Sequence, residues 1–345
     1  MARPLGTSAR TIRSARLLLL DLETAEGVTG RAYIFCYMPI AVGMIARVLE
    51  ESLGVVKGDR IAPLQIAAKL ERHFRLIGVA GIISMALAGL DVACWDALAA
   101  AAGIPLVKFL GGTLKPVPAY NSNGLGLMSP DACADEAEEL LEGGFRAVKI
   151  RLGYPTLDED LGAIRSVRKR LPAAIELMAD YNQALSFDEA LRRGRAIDGE
   201  GLAWIEEPIR HDDYAGSAKL AQELATPIQI GENFAGPQAM GAALAAGAAD
   251  FMMPDLCRIG GVTGWQQAAS LAAAGGIKLS SHLFPEASVH LLAASPTCHW
   301  LECVDWASPI LSEPLRVVDG SVTPPNRPGT GVSWNEEAVA RFRIA

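Results

Sequence analysis

The 345-residue chain is poor in aromatic residues, at 6%, and carries only five histidines. It has no Cys-x-x-Cys pair, no Walker phosphate loop, no Gly-x-Gly-x-x-Gly after a strand-like run and no Gly-x-Ser-x-Gly elbow. Phosphate-loop, dinucleotide and serine-hydrolase readings therefore have no support. Excess positive charge is missing too: 31 Lys plus Arg stand against 39 Asp plus Glu, a formal charge of −8, which argues against a nucleic-acid partner. The longest apolar run, Leu76 to Leu90, is shorter than the roughly 20 residues a bilayer span needs, so it predicts a buried helix and no membrane partner. No apolar segment precedes Leu17, where the chain carries Arg3, Arg10, Arg13 and Arg16, and no secretory signal is read there. The six cysteines lie scattered among apolar residues, as reduced thiols do, and the expected compartment is cytoplasmic.

What is present is a rhythm. Half the residues are hydrophobic, enough for a sizeable core. From Pro116 onward eight β-prone runs, at 116–120, 147–151, 175–179, 202–205, 227–230, 251–254, 277–280 and 299–301, alternate with Ala/Leu-rich stretches of helical spacing. That alternation predicts an α/β fold with a (β/α)8-type, TIM-like barrel over 113–318. The first 112 residues lack the rhythm. A hairpin pattern at 16–37 followed by helices predicts a separate N-terminal α+β capping domain, and the Pro- and Gly-rich 319–345 segment is expected to pack back on it.

In such a barrel the chemistry sits at the C-terminal ends of the strands. Those ends carry Lys149 and Arg151, Asp180 and Asn182, Glu206, Glu232, Asp255, His282 and Glu302. Asp180, Glu206 and Glu232 are spaced by 26 and 26 residues, one strand-helix unit each, so they converge from consecutive strands. Three converging carboxylates repel one another unless a cation sits among them, and an all-oxygen site suits a hard divalent ion such as Mg²⁺. Asp255 and His282 end the next two strands. A carboxylate that holds one imidazole nitrogen sets the tautomer and basicity of a general base. Lys149 and Arg151, two apart, face the same way, and two cations at a carboxylate-rich mouth suit an anionic substrate. Glu207, adjacent to Glu206, is expected to point away.

These residues resemble the mandelate racemase subgroup of the enolase superfamily. The resemblance rests on AlaValLysIleArgLeuGlyTyrPro147–155, AspTyrAsnGln180–183, TrpIleGluGluPro204–208, IleGlyGluAsn230–233, ProAspLeuCysArgIleGlyGlyValThrGlyTrp254–265, SerSerHisLeuPhe280–284 and HisTrpLeuGlu299–302, with AlaLeuAlaGlyLeuAspValAlaCysTrpAspAla86–97 in the first domain. It implies that Asp180, Glu206 and Glu232 bind Mg²⁺ and that Asp255 and His282 form a basic dyad. It further implies that Glu302, protonated, donates to the substrate carboxylate, which Lys149 neutralises with help from Ser122 and Asn182. Arg258 takes a lysine's place beneath the site, and Phe35 and Tyr37 line the pocket. Homo-oligomers are expected by the same resemblance. Where the family's racemases carry Lys-x-Lys, this chain has Lys149-Ile150-Arg151, and the family's first capping strand has no counterpart here.

The implied activity is Mg²⁺-dependent removal of the α-proton of a 2-hydroxycarboxylate, with the charge stabilised as an enediolate and reprotonated in racemisation or epimerisation. The alternative is an acid-sugar dehydratase in which the His282–Asp255 dyad is the sole acid and base. A third reading, a barrel that binds metal and ligand without turnover, has the complete dyad and acid set against it.

Overall fold

A computed structural model describes residues 1–345 apart from Ala2, Ala9 and Ala345. In the first domain, β1 (Leu5–Gly6) and β2 (Thr11–Ile12) form a short hairpin. β3 (Leu17–Glu23) and β4 (Thr29–Phe35) form a longer antiparallel pair registered from Leu17 opposite Phe35 to Glu23 opposite Thr29. Leucines and β-branched or aromatic residues favour this pairing, and Gly27, at φ 80°, supplies the left-handed turn. The helix Ile82–Ala101 lies across the pair. It comes so close that a Cβ on Gly30 of β4 would sit 2.0 Å from the carbonyl oxygen of Ala93, so only glycine fits there.

By length and composition that helix is apolar enough to cross a membrane, but here it is the central helix of the first domain, and most of it is buried. The expected helix over Leu76–Leu90 forms only from Ile82. Gly78 and Gly81, both at positive φ, break it, and Leu76 is 99% exposed.

The second domain is the barrel. Its eight parallel strands are β5 (Val117–Asn121), β6 (Ala147–Arg151), β7 (Glu176–Asp180), β8 (Ile205–Glu206), β9 (Ile228–Ile230), β10 (Phe251–Met252), β11 (Lys278–Leu279) and β12 (Leu301–Cys303). Neighbours pair in sequence order, and β12 returns to β5. The gap between β11 and the segment before β12 is closed by hydrogen bonds from Leu279 N to Thr297 O and from His299 N to Leu279 O, both 2.8 Å. β13 (Ser321–Val322) adds antiparallel to β5.

Polar contacts fasten the cap to the barrel and to the C-terminal segment. Asp91 accepts from the backbone N–H (2.9 Å) and hydroxyl (2.6 Å) of Thr263. Asp96 accepts from Arg31 N and from Thr330 of the C-terminal segment. Trp334 donates to Asp21 of β3. Tyr33 of β4 donates at 2.5 Å to Glu286 on the helix Pro285–Ala294. Burial pushes Asp91 up to about 6 even though Thr263 donates to it. The cap thus lies over the strand ends that carry the ionisable residues.

Candidate active site

Parallel strands deliver side chains to a common end, and here the ends of β7 to β9 put three carboxylates together. Asp180, Glu206 and Glu232 each place an oxygen within 4.8 Å of the others. Lys149, 1% exposed, lies against the group: its Nζ is 2.5 Å from Glu206, 3.0 Å from Glu302 and 3.3 Å from Asp180. Burial works against its charge, but the three acids more than offset it and the ammonium is held charged. Burial, together with Asp180, Glu302 and Glu232, pushes Glu206 up to about 8 against the pull of Lys149. Three carboxylates from consecutive strands with one ammonium among them leave surplus negative charge in a dry place, and this oxygen-only donor set fits Mg²⁺.

Across the mouth, Asp255 uses its two oxygens differently. Oδ1 accepts from the backbone N–H groups of Cys257 and Arg258 and so caps the short helix Leu256–Ile259. Oδ2 lies 2.8 Å from Nδ1 of His282. A carboxylate held by two N–H groups accepts the third contact as well, so Nδ1 carries the hydrogen. Nε2 is thereby directed toward Glu232 (3.3 Å) and Glu302 (3.9 Å). Burial lowers the imidazole, but Glu232, Glu302 and Asp255 outweigh it and push His282 up to about 9.

Several residues are held otherwise than their spacing implies. Arg151 is buried, with its guanidinium turned to the end of β5: Nη1 donates to the carbonyls of Ser122 (2.9 Å), Gly124 (3.1 Å) and Lys149 (3.4 Å), and Nη2 donates to the Ser122 hydroxyl (2.8 Å). It faces carbonyls, whereas a second cation for an anionic substrate would face the mouth. Ser122 in turn donates to Glu302 at 2.7 Å. Glu302 also accepts from Leu283 N–H at 2.8 Å. Burial favours protonation of Glu302, but Lys149, His282 and these donors hold it below the usual carboxylate range. It is an acceptor here, where the resemblance implied a donor.

Asn182, at φ 46°, donates from Nδ2 to Asp180 (3.0 Å), and its buried Oδ1 has no hydrogen-bond partner. Glu207 does not point away. At φ 34° the strand alternation has ended, and its buried carboxylate accepts from Asn233 (2.7 Å), which also donates to Glu232. Arg258 donates to Asn233 and covers the ring of Tyr37, 4.9 Å from its centre. Phe35 packs between Tyr37 (4.4 Å between ring centres) and Trp306 (4.8 Å).

Sequence reading passed over Asn233, Trp306 and a pair of aromatic residues beneath the charges. The Tyr120 ring lies 5.6 Å under the Lys149 ammonium, and the Trp204 indole donates to Glu206 at 3.2 Å. The spacing Trp204-x-Glu206, two residues on one face of a strand, was a readable sign of the second contact.

A capped eight-stranded barrel with three acids, a buried lysine and a His–Asp dyad at its strand ends defines an enolase-type enzyme. The chain belongs to the mandelate racemase / muconate lactonizing enzyme family. That family's N-terminal domain model matches residues 1–111, and the model described as enolase C-terminal domain-like matches 132–338. A solved enolase from the alphaproteobacterium BAL199, with bound magnesium, is 45% identical at a TM-score of 0.96, covering 99% of this chain and 95% of that one. An enolase from Bradyrhizobium, solved with magnesium and mandelic acid, is 41% identical at a TM-score of 0.95, covering 100% of this chain and 95% of that one. The L-talarate/galactarate dehydratase of Salmonella typhimurium is 31% identical over 338 residues, covering 98% of this chain and 85% of that protein. The chain is an enzyme of the enolase superfamily with magnesium as its cofactor.

Proposed function

We propose that the enzyme removes the α-proton of a 2-hydroxycarboxylate through His282 and that, on a substrate with a β-hydroxyl, the reaction ends in dehydration to a 2-keto acid. The observation that carries the choice is Arg151. Its guanidinium is bound to three carbonyls and the Ser122 hydroxyl. A guanidinium also stays protonated in proteins. The position that would hold the second base of a racemase therefore holds a fixed cation, and proton transfer falls to His282.

Asp180, Glu206 and Glu232 would hold Mg²⁺, which when bound supplies Lewis-acid stabilisation of the charge that develops on the substrate carboxylate. Lys149 adds a positive charge in the same dry layer. His282 takes the α-proton at Nε2 while Asp255 holds Nδ1–H. The C–H electron pair becomes a C=C bond as the β C–O bond breaks, and the departing hydroxyl leaves as water with the proton His282 returns. The enol then becomes the 2-keto acid. Glu232, Glu302 and Asp255 together raise His282, so neutralising the charge of Glu232 moves it toward the free base that the first step needs.

A second reading is racemisation of a compact hydroxy acid. The Bradyrhizobium relative holds mandelic acid, and the aromatic wall of Phe35, Tyr37 and Trp306 favours such a substrate. Incubation with Mg²⁺ and panels of acid sugars and aryl hydroxy acids separates the two. Dehydration yields 2-keto acids trapped by semicarbazide. Racemisation yields α-deuterium and loss of optical rotation in D₂O without keto acid, and that result would overturn the first reading.

A further inference from the structure

The floor of the barrel beneath the charged residues is aromatic. Trp204 is fully buried, edge-on to Tyr120 (5.5 Å between ring centres) and Phe251 (6.5 Å), with His299 at 5.9 Å. Its carbonyl accepts Ala179 N–H, so the backbone is also fixed by β7. Held on these sides, the indole has little freedom, and its one N–H reaches Oε2 of Glu206. The other oxygen of that carboxylate, Oε1, lies on Lys149. The carboxylate is thus gripped at both oxygens, from below by an N–H and from the side by an ammonium. To present both oxygens to one cation it would have to rotate away from one of these partners.

Coordination chemistry gives that restraint a consequence. Mg²⁺ demands near-octahedral geometry with short bonds and takes carboxylates through one oxygen, whereas Ca²⁺ accepts six to eight ligands and readily takes a carboxylate through both. We propose that Trp204 is a positioning residue that keeps Glu206 a one-oxygen ligand and so makes the site select Mg²⁺ over Ca²⁺. The inference rests on Asp180, Glu206 and Glu232 being the ligands. It adds a residue that touches neither metal nor substrate. Partners of this kind, which orient ligands from behind, typically change metal affinity 10- to 100-fold when removed.

Trp204→Phe keeps an aromatic ring in the floor and deletes the N–H donor, along with part of the indole's volume. Titration calorimetry with MgCl₂ and with CaCl₂ is expected to show Mg²⁺ binding weakened about tenfold or more and Ca²⁺ binding changed less, so that the Mg²⁺/Ca²⁺ affinity ratio falls at least several-fold. A ratio within twofold of wild type, in a variant with unchanged circular dichroism and Tm, overturns the proposal.

A measurement on the wild-type protein keeps the test independent of how the variant folds. With ¹⁵N-labelled tryptophan, the Trp204 indole N–H signal should be protected from solvent exchange and should shift on adding MgCl₂. A signal that does not shift with Mg²⁺, whether protected or not, overturns it. Glu206→Gln serves as the control on the ligand assignment. If that variant binds Mg²⁺ as wild type does, the ligand reading itself fails and takes this proposal with it. If it loses Mg²⁺ while Trp204→Phe leaves the ratio unchanged, only the role of Trp204 is refuted.

Discussion

The two sides of the barrel mouth each carry a buried nitrogen-bearing side chain, and they hold it in opposite ways. On the β6 side, Arg151 has both terminal nitrogens bound to fixed oxygens of Lys149 on β6 and of Ser122 and Gly124 in the segment after β5. On the side that follows β10 and β11, His282 has one nitrogen bound to Asp255 and the other turned toward Glu232 and Glu302. A group that moves a proton needs one edge fixed and one edge exposed to the reaction. The terminal nitrogens of Arg151 are engaged and its buried Nε has no partner, whereas His282 turns Nε2 toward the acids of the site. The contrast teaches that charge at a strand end is not enough to name a catalytic group: what its remaining hydrogen-bonding edges face decides the role.

The largest effect expected from this contrast belongs to His282→Asn. Loss of a positioned general base typically costs 10²- to 10⁴-fold. Hydrogen–deuterium exchange at the α carbon should therefore fall by about a thousandfold, while the acids that bind Mg²⁺ remain. Exchange in D₂O read by NMR, with Mg²⁺ affinity measured in parallel, checks both halves. Wild-type exchange would remove His282 from the mechanism and erase the difference between the two sides.

A second buried histidine sharpens what carboxylates do for the first. His290 is fully buried, and its described ring contacts are to backbone: it accepts from Val107 N–H and faces the Thr330 carbonyl. Burial pulls it down to about 4. Between about 4 and the unfolded value near 6.5 the unfolded chain binds more protons, so folding stability falls as pH drops through that window, by up to about 3 kcal/mol at pH 4. His290→Gln retains an acceptor and a donor but cannot titrate. Denaturant unfolding at pH 7 and pH 4.5 should show a smaller acid loss in the variant, and equal losses would mean that His290 already carries its charge when folded.

How much of this was legible beforehand follows from which interactions are local. The spacings of 26, 26, 23 and 27 residues along Asp180, Glu206, Glu232, Asp255 and His282 each span about one strand-helix unit, so their convergence could be read from the chain. The barrel and the hairpin β3–β4 were readable for the same reason, since each is announced by its own periodicity. What failed was set by backbone breaks or by distant partners. The stretch from Leu76 to Gly81 looked helical by hydropathy, but Gly78 and Gly81 turn the chain out before the helix begins. Glu207 follows no strand alternation because its φ is positive. Arg151 is directed by carbonyls 27 and 29 residues earlier, and the donors on Glu302 come from three different elements. No spacing rule encodes those contacts.

Asp255→Asn tests whether the free edge of His282 depends on the fixed one. Asparagine keeps an oxygen to accept from Cys257 and Arg258, so the helix cap survives, but its amide nitrogen donates to Nδ1 where the carboxylate accepted. The imidazole hydrogen is then driven to Nε2, the wrong edge for taking a proton. Exchange should fall about 10- to 100-fold, less than in His282→Asn because a minor tautomer still works. A loss as large as that of His282→Asn would mean that the dyad acts as one unit; no loss would mean that Asp255 is only a cap.

The smallest expected effect is the most direct attack on the comparison. Arg151→Lys restores the residue type that the family's racemases carry. A lysine cannot reproduce the forked contact with the carbonyls of Ser122 and Gly124 and the Ser122 hydroxyl. Ser122 loses a donor, its hold on Glu302 loosens, and exchange on the His282 face should fall by about tenfold, the size of one charge-assisted hydrogen bond. The shorter fork-free side chain starts from the same Cα, next to the same carbonyls, so its ammonium should settle among them and exchange from the opposite face should stay at background. Both enantiomers of a hydroxy acid, followed separately by α-deuterium incorporation, give the answer. If exchange on the second face rises while the first is unchanged, then the guanidinium was blocking a working base position. The two sides of the mouth would then differ by one residue's chemistry and not by the architecture that surrounds it.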